Sequence, residues 1–461
     1  MTARSRSKGG GFRFALADSI AFLNQGHWEQ LTGRSGLFFS PPFLKILEEN
    51  LPGNLAVHYA LVYEGVRPVA AVVAQSLKIH VADLSSRRPQ KEWRGFWHSV
   101  EEAAERSVSR ARQRVLLIDS PMPWPMLSAE GRPEEPPELW PEVAHDFWQR
   151  WRDLVKAAGQ AAEVPVSRVY QQFLVCGNLL STGPHGAAFA EGEDPARLWP
   201  AVEEALQRIR RSSALFGDSD LTMIKDLTEE GAGVDAALRR LRFRRFQTEP
   251  NMILPLRASW AGFDDFLKDM KSDYRSRIRK TLKDLEAAGV ALERIGLEEV
   301  EARAGEIHAL YHQIHDRQKL RLVAIRDGWI PALARHFQDD FRTVVARRKE
   351  GGPLLGFVTV IRDGESAYGY YIGFDKPTAA DGVPLYLCLI YAAVGQAIEM
   401  GATSLVLGRT ALGPKAQLGA KAQSMCGYLR HRSPAANLAV PTILALMPEP
   451  ERPPDRHPFK E

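Results

Sequence analysis

The chain has 461 residues, 45% hydrophobic and 25% charged, with a net charge of +4. That length and balance suit two or three folded cores and do not mark a disordered polymer or a dedicated nucleic-acid binder. Cys176, Cys388 and Cys426 are widely spaced and form no CxxC pair, so neither a disulfide framework nor a cysteine zinc site is supported.

In chain order, residues 1–12 (MTARSRSKGGGF) read as a flexible basic N-terminus with no apolar signal core behind it. HYALVYEGVRPVAAVVAQSL holds two apolar runs around Glu64-Gly65, which predicts a β-hairpin. The Pro-dense stretch 121–141 predicts an inserted surface loop, because proline neither donates to a ladder nor continues a helix. RVLLID and QQFLVCGNLL predict buried strands, ARLWPAVEEALQRIRRS an amphipathic helix, and LTMIKDL and NMILPL further strands. Phe263, Phe266, Leu267, Met270, Tyr274, Ile278, Leu282 and Leu285 then recur at steps of three and four, predicting one long amphipathic helix. SAYGYYIGF predicts an aromatic-rich strand with Tyr370 and Tyr371 on opposite faces. The loop DKPTAADGVP, the helix LYLCLIYAAVGQAIEMG ended by Gly401, and the strand TSLVLGRT follow. Residues 447–461 read as a flexible tail. LAVPTILALM is too short to cross a bilayer, so the expected location is the cytoplasm.

The first hairpin returns in the second half. Aligning Tyr59 onward with Val344 onward places Pro68 on Pro353, and each copy continues into strand, Gly-containing loop and amphipathic helix. The fold class predicted is α/β with an α+β mixed sheet, built as two tandem units over 13–255 and 256–446.

Several residues carry candidate chemistry. Lys271, Arg275, Arg279 and Lys283 align at four-residue spacing, where like charges cost a helix about 0.3 kcal/mol per pair. A phosphate-bearing ligand, CoA or an RNA backbone, would offset that cost; the alternative is a solvated face neutralised by Asp269, Asp273 and Asp284. A strand–loop–helix unit aims the helix N-terminus before Leu385 at an anion near the sheet edge. His308, His312 and His315 have no third ligand at a recognisable spacing, so no metal site is expected. His312 with Asp316 makes an orienter–base pair, or an ordinary surface histidine. Tyr371 is taken as a proton donor or wall on the substrate side, or else as a core aromatic. Lys415 and Arg409 follow a strand, where α/β sites open, and Lys415 suits a donor phosphate or a developing oxyanion. GNLLSTGPHGAAF is a Gly-rich loop able to admit a phosphate. No GxSxG, Walker or Rossmann signature is present in context.

The run YYIGFDK…LYLCLIYAAVGQAIEMGATSLVLGRTALGPKAQLGA resembles the C-terminal half of the GNAT-like FemAB/CelD acyltransferase superfamily, through Tyr371, Gly373, Gly401, Gly408, Lys415 and Gly419. FDDFLKDMKSDYRSRIRKTLKDLEAAGV resembles the basic helix opening that group's second domain, and FFSPPFLKILEE its N-terminal helix. The resemblance implies tandem acyltransferase-like domains that move an acyl group from acyl-CoA, as co-substrate, to an amine or hydroxyl. No tightly bound cofactor, metal or DNA partner is implied. Tyr371, Lys415 and His312 are the expected catalytic residues; Arg275, Arg279, Gly373, Gly382, Gly408 and Arg409 are expected to hold the donor. The acceptor would be a small molecule or a cell-envelope precursor. A Fem-type enzyme would take charged tRNA as a partner and act on a cell-wall precursor, and a non-catalytic module would bind an acyl ligand without turnover. DKPTAADGVP departs from the family's CoA phosphate loop, keeping only Gly382.

Overall fold

Alternating apolar residues along Leu55–Glu64 (β2) and Arg67–His80 (β3) pair as the predicted hairpin, with Glu64 opposite Arg67 and Gly65 at φ +65° in the turn. The computed structural model describes residues 11–80, 170–212, 219–228, 232–317, 322–375, 382–445 and 450–460. The predicted strand RVLLID and the Pro-dense stretch 121–141 lie outside these residues.

The remaining strands are β1 (Phe12–Ala17), β4 (Tyr170–Cys176), β5 (Ala187–Phe189), β6 (Leu221–Thr228), β7 (Arg244–Pro255), β8 (Val290–Ile295), β9 (Phe341–Arg348), β10 (Leu354–Asp363), β11 (Ser366–Phe374), β12 (Ser404–Gly408) and β13 (Lys421–His431). The helices are α1 (Gln25–Thr32), α2 (Pro41–Glu49), α3 (Pro195–Ser212), α4 (Ala232–Arg240), α5 (Phe263–Asp269), α6 (Ser272–Ala287), α7 (Leu297–Ala302), α8 (Ala304–His315), α9 (Trp329–Phe337), α10 (Leu385–Glu399), α11 (Leu412–Gln417) and α12 (Pro434–Ala445). Among the described residues no helix is long and apolar enough to cross a membrane.

One mixed sheet runs in the order β1-β2-β3-β4-β6-β13-β7-β12-β11-β10-β9-β8, with β5 added against β3. Neighbours are antiparallel except β4 with β6 and β11 with β12. The order is a palindrome: β1-β2-β3-β4-β6 of the first half mirrors β8-β9-β10-β11-β12 of the second. The hairpins whose sequences repeat, β2–β3 and β9–β10, occupy equivalent places. The closing strands are exchanged. β13 of the second half lies beside β6, and β7 of the first half lies beside β12. The tandem architecture is therefore present, with each half's closing strand completing the other half's sheet.

Apolar faces collect into three main cores. α3 and α4 bury Leu198, Trp199 and Leu238 against the first half. α5, α6, α10 and α11 bury Phe266, Ile278, Leu389 and Ala416 against the second. The third core is shared: Phe43 of α2 meets Trp329 of α9 with ring centroids 5.8 Å apart.

Three local expectations differ from the structure. The single helix over 263–285 is two, broken at Met270 and Lys271, where the Lys271 N–H donates to the Pro458 carbonyl at 2.7 Å. The Lys460 N–H donates to the Asp269 carbonyl at 2.9 Å, and the half-buried Phe459 packs against Trp260 and Phe266. The end of the tail expected to be flexible is thus a packed plug, because a bulky aromatic supplies what its polar neighbours lack. Tyr370 and Tyr371 share one core instead of opposite faces. A register shift at Val358/Val360 causes this, with the Tyr371 N–H donating to Thr359 Oγ1 at 2.9 Å.

Candidate active site at the splayed strands

β11 and β12 are bonded as parallel strands over only Ser366–Tyr368 against Ser404–Val406. Beyond Tyr368 they diverge, and Gly369–Phe374 run on without a partner on the β12 side. α10 opens near this gap, with no side-chain cap at Pro384 and no acid in its first turn, so an anion would meet N–H groups and a favourable helix dipole. Gly382 (φ +90°) precedes α10 and Gly408 (φ +75°) ends β12; both have open space where a Cβ would stand. Gly373 differs. A Cβ there would lie 2.5 Å from the Phe357 ring and 2.7 Å from the Leu310 carbonyl oxygen. Its backbone is in van der Waals reach of α8, so Gly373→Ala is expected to cost about 1–3 kcal/mol by overpacking, read as a lowered urea midpoint.

Lys415, on α11, is only 2% exposed. Burial pulls its pKa down to about 8, partly countered by the charge of Glu249. The helix places it there because Leu412 and Ala416 anchor the same side in the core. Nearby on β7, Asn251 Oδ1 is buried without a hydrogen-bond partner among the described residues.

Arg409 pairs with Asp226 of β6, so this predicted donor ligand is engaged across the two halves. Asp226 is 1% exposed; it also accepts from Lys225 and, at 3.0 Å, from the Gly183 N–H. Burial lowers the Arg409 pKa to about 10. Burial and then the Arg409 charge hold Lys225 well below its ordinary value. The Tyr371 hydroxyl donates to the Leu180 carbonyl at 3.1 Å, and burial holds its pKa well above the ordinary phenol value. Its ring lies 5.8 Å from that of Tyr311 on α8.

Arg275 donates to the carbonyls of Lys268 and Met270, capping the end of α5. Arg279 and Lys283 are exposed on α6. His312 Nδ1 lies 3.3 Å from Asp316 Oδ1, the pairing expected from the sequence. His315 also reaches Asp316, and ligand atoms of His312, His315 and Asp316 lie within 4.8 Å of one another, close enough to share a cation.

The first half has an equivalent gap between β4 and β6, paired over Phe173–Cys176 and Leu221–Ile224. There the Gly-rich loop spends its donors internally. Leu179 N–H donates to Gln75, Leu180 N–H to Asn178 and Gly183 N–H to Asp226, leaving no phosphate cradle among them. His185 pairs with Ser181 Oγ at 2.9 Å, its pKa pushed down to about 3 by burial and then by Lys225. α3 begins beside Asp194, whose carboxylate accepts the Ala196 N–H, with Glu193 adjacent, so this helix N-terminus already holds its anions.

Sequence reading missed Asp226 and Lys225. The signal available was a Lys-Asp pair inside the otherwise apolar strand LTMIKDL.

No curated protein matches the chain. Among solved structures, a tandem GNAT protein from the clavulanic acid biosynthesis pathway is similar at 10% identity, over 92% of this chain and 99% of that one, with TM-score 0.47. The C-terminal domain of a putative lysylphosphatidylglycerol synthetase from Agrobacterium fabrum is similar at 14% identity, over 60% and 82%, with TM-score 0.38. FemX is similar at 14% identity, over 58% and 82%, with TM-score 0.37. All three likenesses are remote. A family model, described as the acetyltransferase (GNAT) domain, matches residues 272–416. That span runs from the start of α6 into α11 and contains the splayed strands with Lys415. Residues 272–416 of this chain are therefore similar to an acetyltransferase (GNAT) domain.

Proposed function

We propose that the protein transfers an acyl group from acyl-CoA to an amine. The observation that carries this reading is the three-residue pairing of β11 with β12, which leaves strand backbone facing a gap beside an uncapped helix N-terminus. A thioester carbonyl inserted there would accept from N–H groups of β11, while the CoA phosphates would lie toward α10 and Gly382. The amine nitrogen attacks the carbonyl carbon and a C–N bond forms. The C–S bond then breaks, CoA leaves as thiolate, and the amine proton passes to water. Lys415 supplies a positive charge to the developing oxyanion or to a donor phosphate.

The test is release of CoA thiol from acetyl-CoA in the presence of a primary amine. Lys415→Met is expected to lower kcat/KM by at least a hundredfold with CoA-free folding intact, and undiminished turnover would sink the assignment. Because Lys415 acts here as a cation with a pKa of about 8, kcat/KM should fall as pH rises through that value. A profile that instead rises there would make Lys415 a base.

A second reading takes aminoacyl-tRNA as donor, favoured by exposed Arg279 and Lys283 on α6. An RNA backbone on that face predicts donor affinity falling steeply with salt, and RNase-sensitive transfer. CoA binding alone predicts neither a steep salt slope nor RNase sensitivity.

A further inference from the structure

A cleft of about 940 Å³ opens beside the first half, walled by the half-buried rings of Phe189 and Tyr368; Phe39 and Trp199 also line it but are only 1% and 2% exposed. Tyr368 is the last residue of β11 paired with β12, so this cleft adjoins the mouth of the splay. Four charged side chains line it: Glu193, Asp235, Arg245 and Asp363. Glu193 is paired with Arg67 and Arg197. Asp235 is paired with Arg239, accepts from the Tyr428 hydroxyl at 2.8 Å, and lies in the field of Arg245. Asp363 is half-buried, and among the described residues no lysine or arginine pairs with it; one oxygen accepts the Leu37 N–H at 2.6 Å. Burial raises its pKa, and the Leu37 bond only partly offsets this.

A carboxylate without a cation, set at an aromatic wall, is a receptor for an organic ammonium, since ion pairing and cation–π attraction then act on one group. We infer that this cleft binds the acceptor as a cationic amine, its ammonium on Asp363 and its apolar body against Phe189 and Tyr368. The inference rests on the acyltransferase reading for the word acceptor, and on the cleft alone for the amine.

Calorimetry on the full chain with tryptamine, indole and 3-indolepropionate tests it. Tryptamine is expected to bind at least tenfold more tightly than indole, and 3-indolepropionate more weakly than either. Asp363→Asn keeps an oxygen for the Leu37 N–H and should weaken tryptamine at least tenfold while leaving indole unchanged. Glu193→Gln, removing a carboxylate already paired, should leave tryptamine unchanged. No tryptamine binding, equal affinity for the carboxylate, or equal losses in both variants overturns the inference. Tryptamine bound through Asp363 without transfer from acetyl-CoA would leave the amine site standing and defeat the acyltransferase reading. Transfer that is indifferent to Asp363→Asn, with tryptamine affinity unchanged, would do the reverse.

Discussion

Asp226→Ala is expected to remove about 3–5 kcal/mol of stability, the usual cost of breaking a buried ion pair from one side. Two cations depend on that carboxylate, Lys225 from its own strand and Arg409 from the end of β12, and neither has an exit to water comparable to an exposed pair. Asp226 also sits at φ +61°, a backbone region where a short polar side chain is tolerated better than alanine. Asp226→Asn separates the contributions. It keeps an acceptor for Gly183 and tolerates the same backbone, yet should still lose most of the stability, because what it lacks is the charge. Urea unfolding of the two variants is the measurement; a loss below about 1 kcal/mol in both would show that water compensates the cations.

Lys415→Met should do the opposite to stability while removing activity. A lysine held at a pKa of about 8, against 10.5 when free, binds its proton less well in the folded state than in the unfolded state. Unfolded chains therefore carry more protons between those values, and stability rises with pH across that window. At pH 7, below both pKa values, the buried charge costs roughly 3 kcal/mol, so the methionine variant is expected to be more stable by that amount. The advantage should fall as pH rises from about 8 to 10.5 and vanish above about pH 11.5, where lysine is neutral in both states. A variant less stable at pH 7, or one whose gain is undiminished at about pH 10.5, would show that the ammonium has a partner that satisfies it. Stability gained with turnover lost is the expected signature of a residue kept for chemistry.

Much of the fold was legible because the two periodicities are clean. SAYGYYIGF is β11 residue for residue, and LYLCLIYAAVGQAIE is α10. The hairpin repeat at Pro68 and Pro353 pointed to tandem halves through local alternation alone. The exchange of β7 and β13 was not legible, since either partner satisfies the same alternation. The break at Met270 depends on Phe459, nearly two hundred residues away, and no local pattern announces such a contact. At the site, Lys415 stood out because it follows a predicted strand, where α/β sites open. Tyr371 was chosen for its strand, but the bulge that turns it beside Tyr370 arises from Thr359 on the neighbouring strand. Arg409 looked like a free loop cation because its partner, Asp226, belongs to the other half.

The exchanged closing strands also constrain how such a chain can change. Cutting between β7 and α5 would leave β6 and β12 as bare edges, each lacking the strand that travels with the other fragment. The fragments would be sticky separately and complementary together, so co-expression should restore what neither achieves alone. For the same reason the halves are not interchangeable cassettes: a substitution in β13 is judged by the fit of β6, and one in β7 by the fit of β12. Two copies that drifted apart in sequence remain answerable to each other at their shared centre.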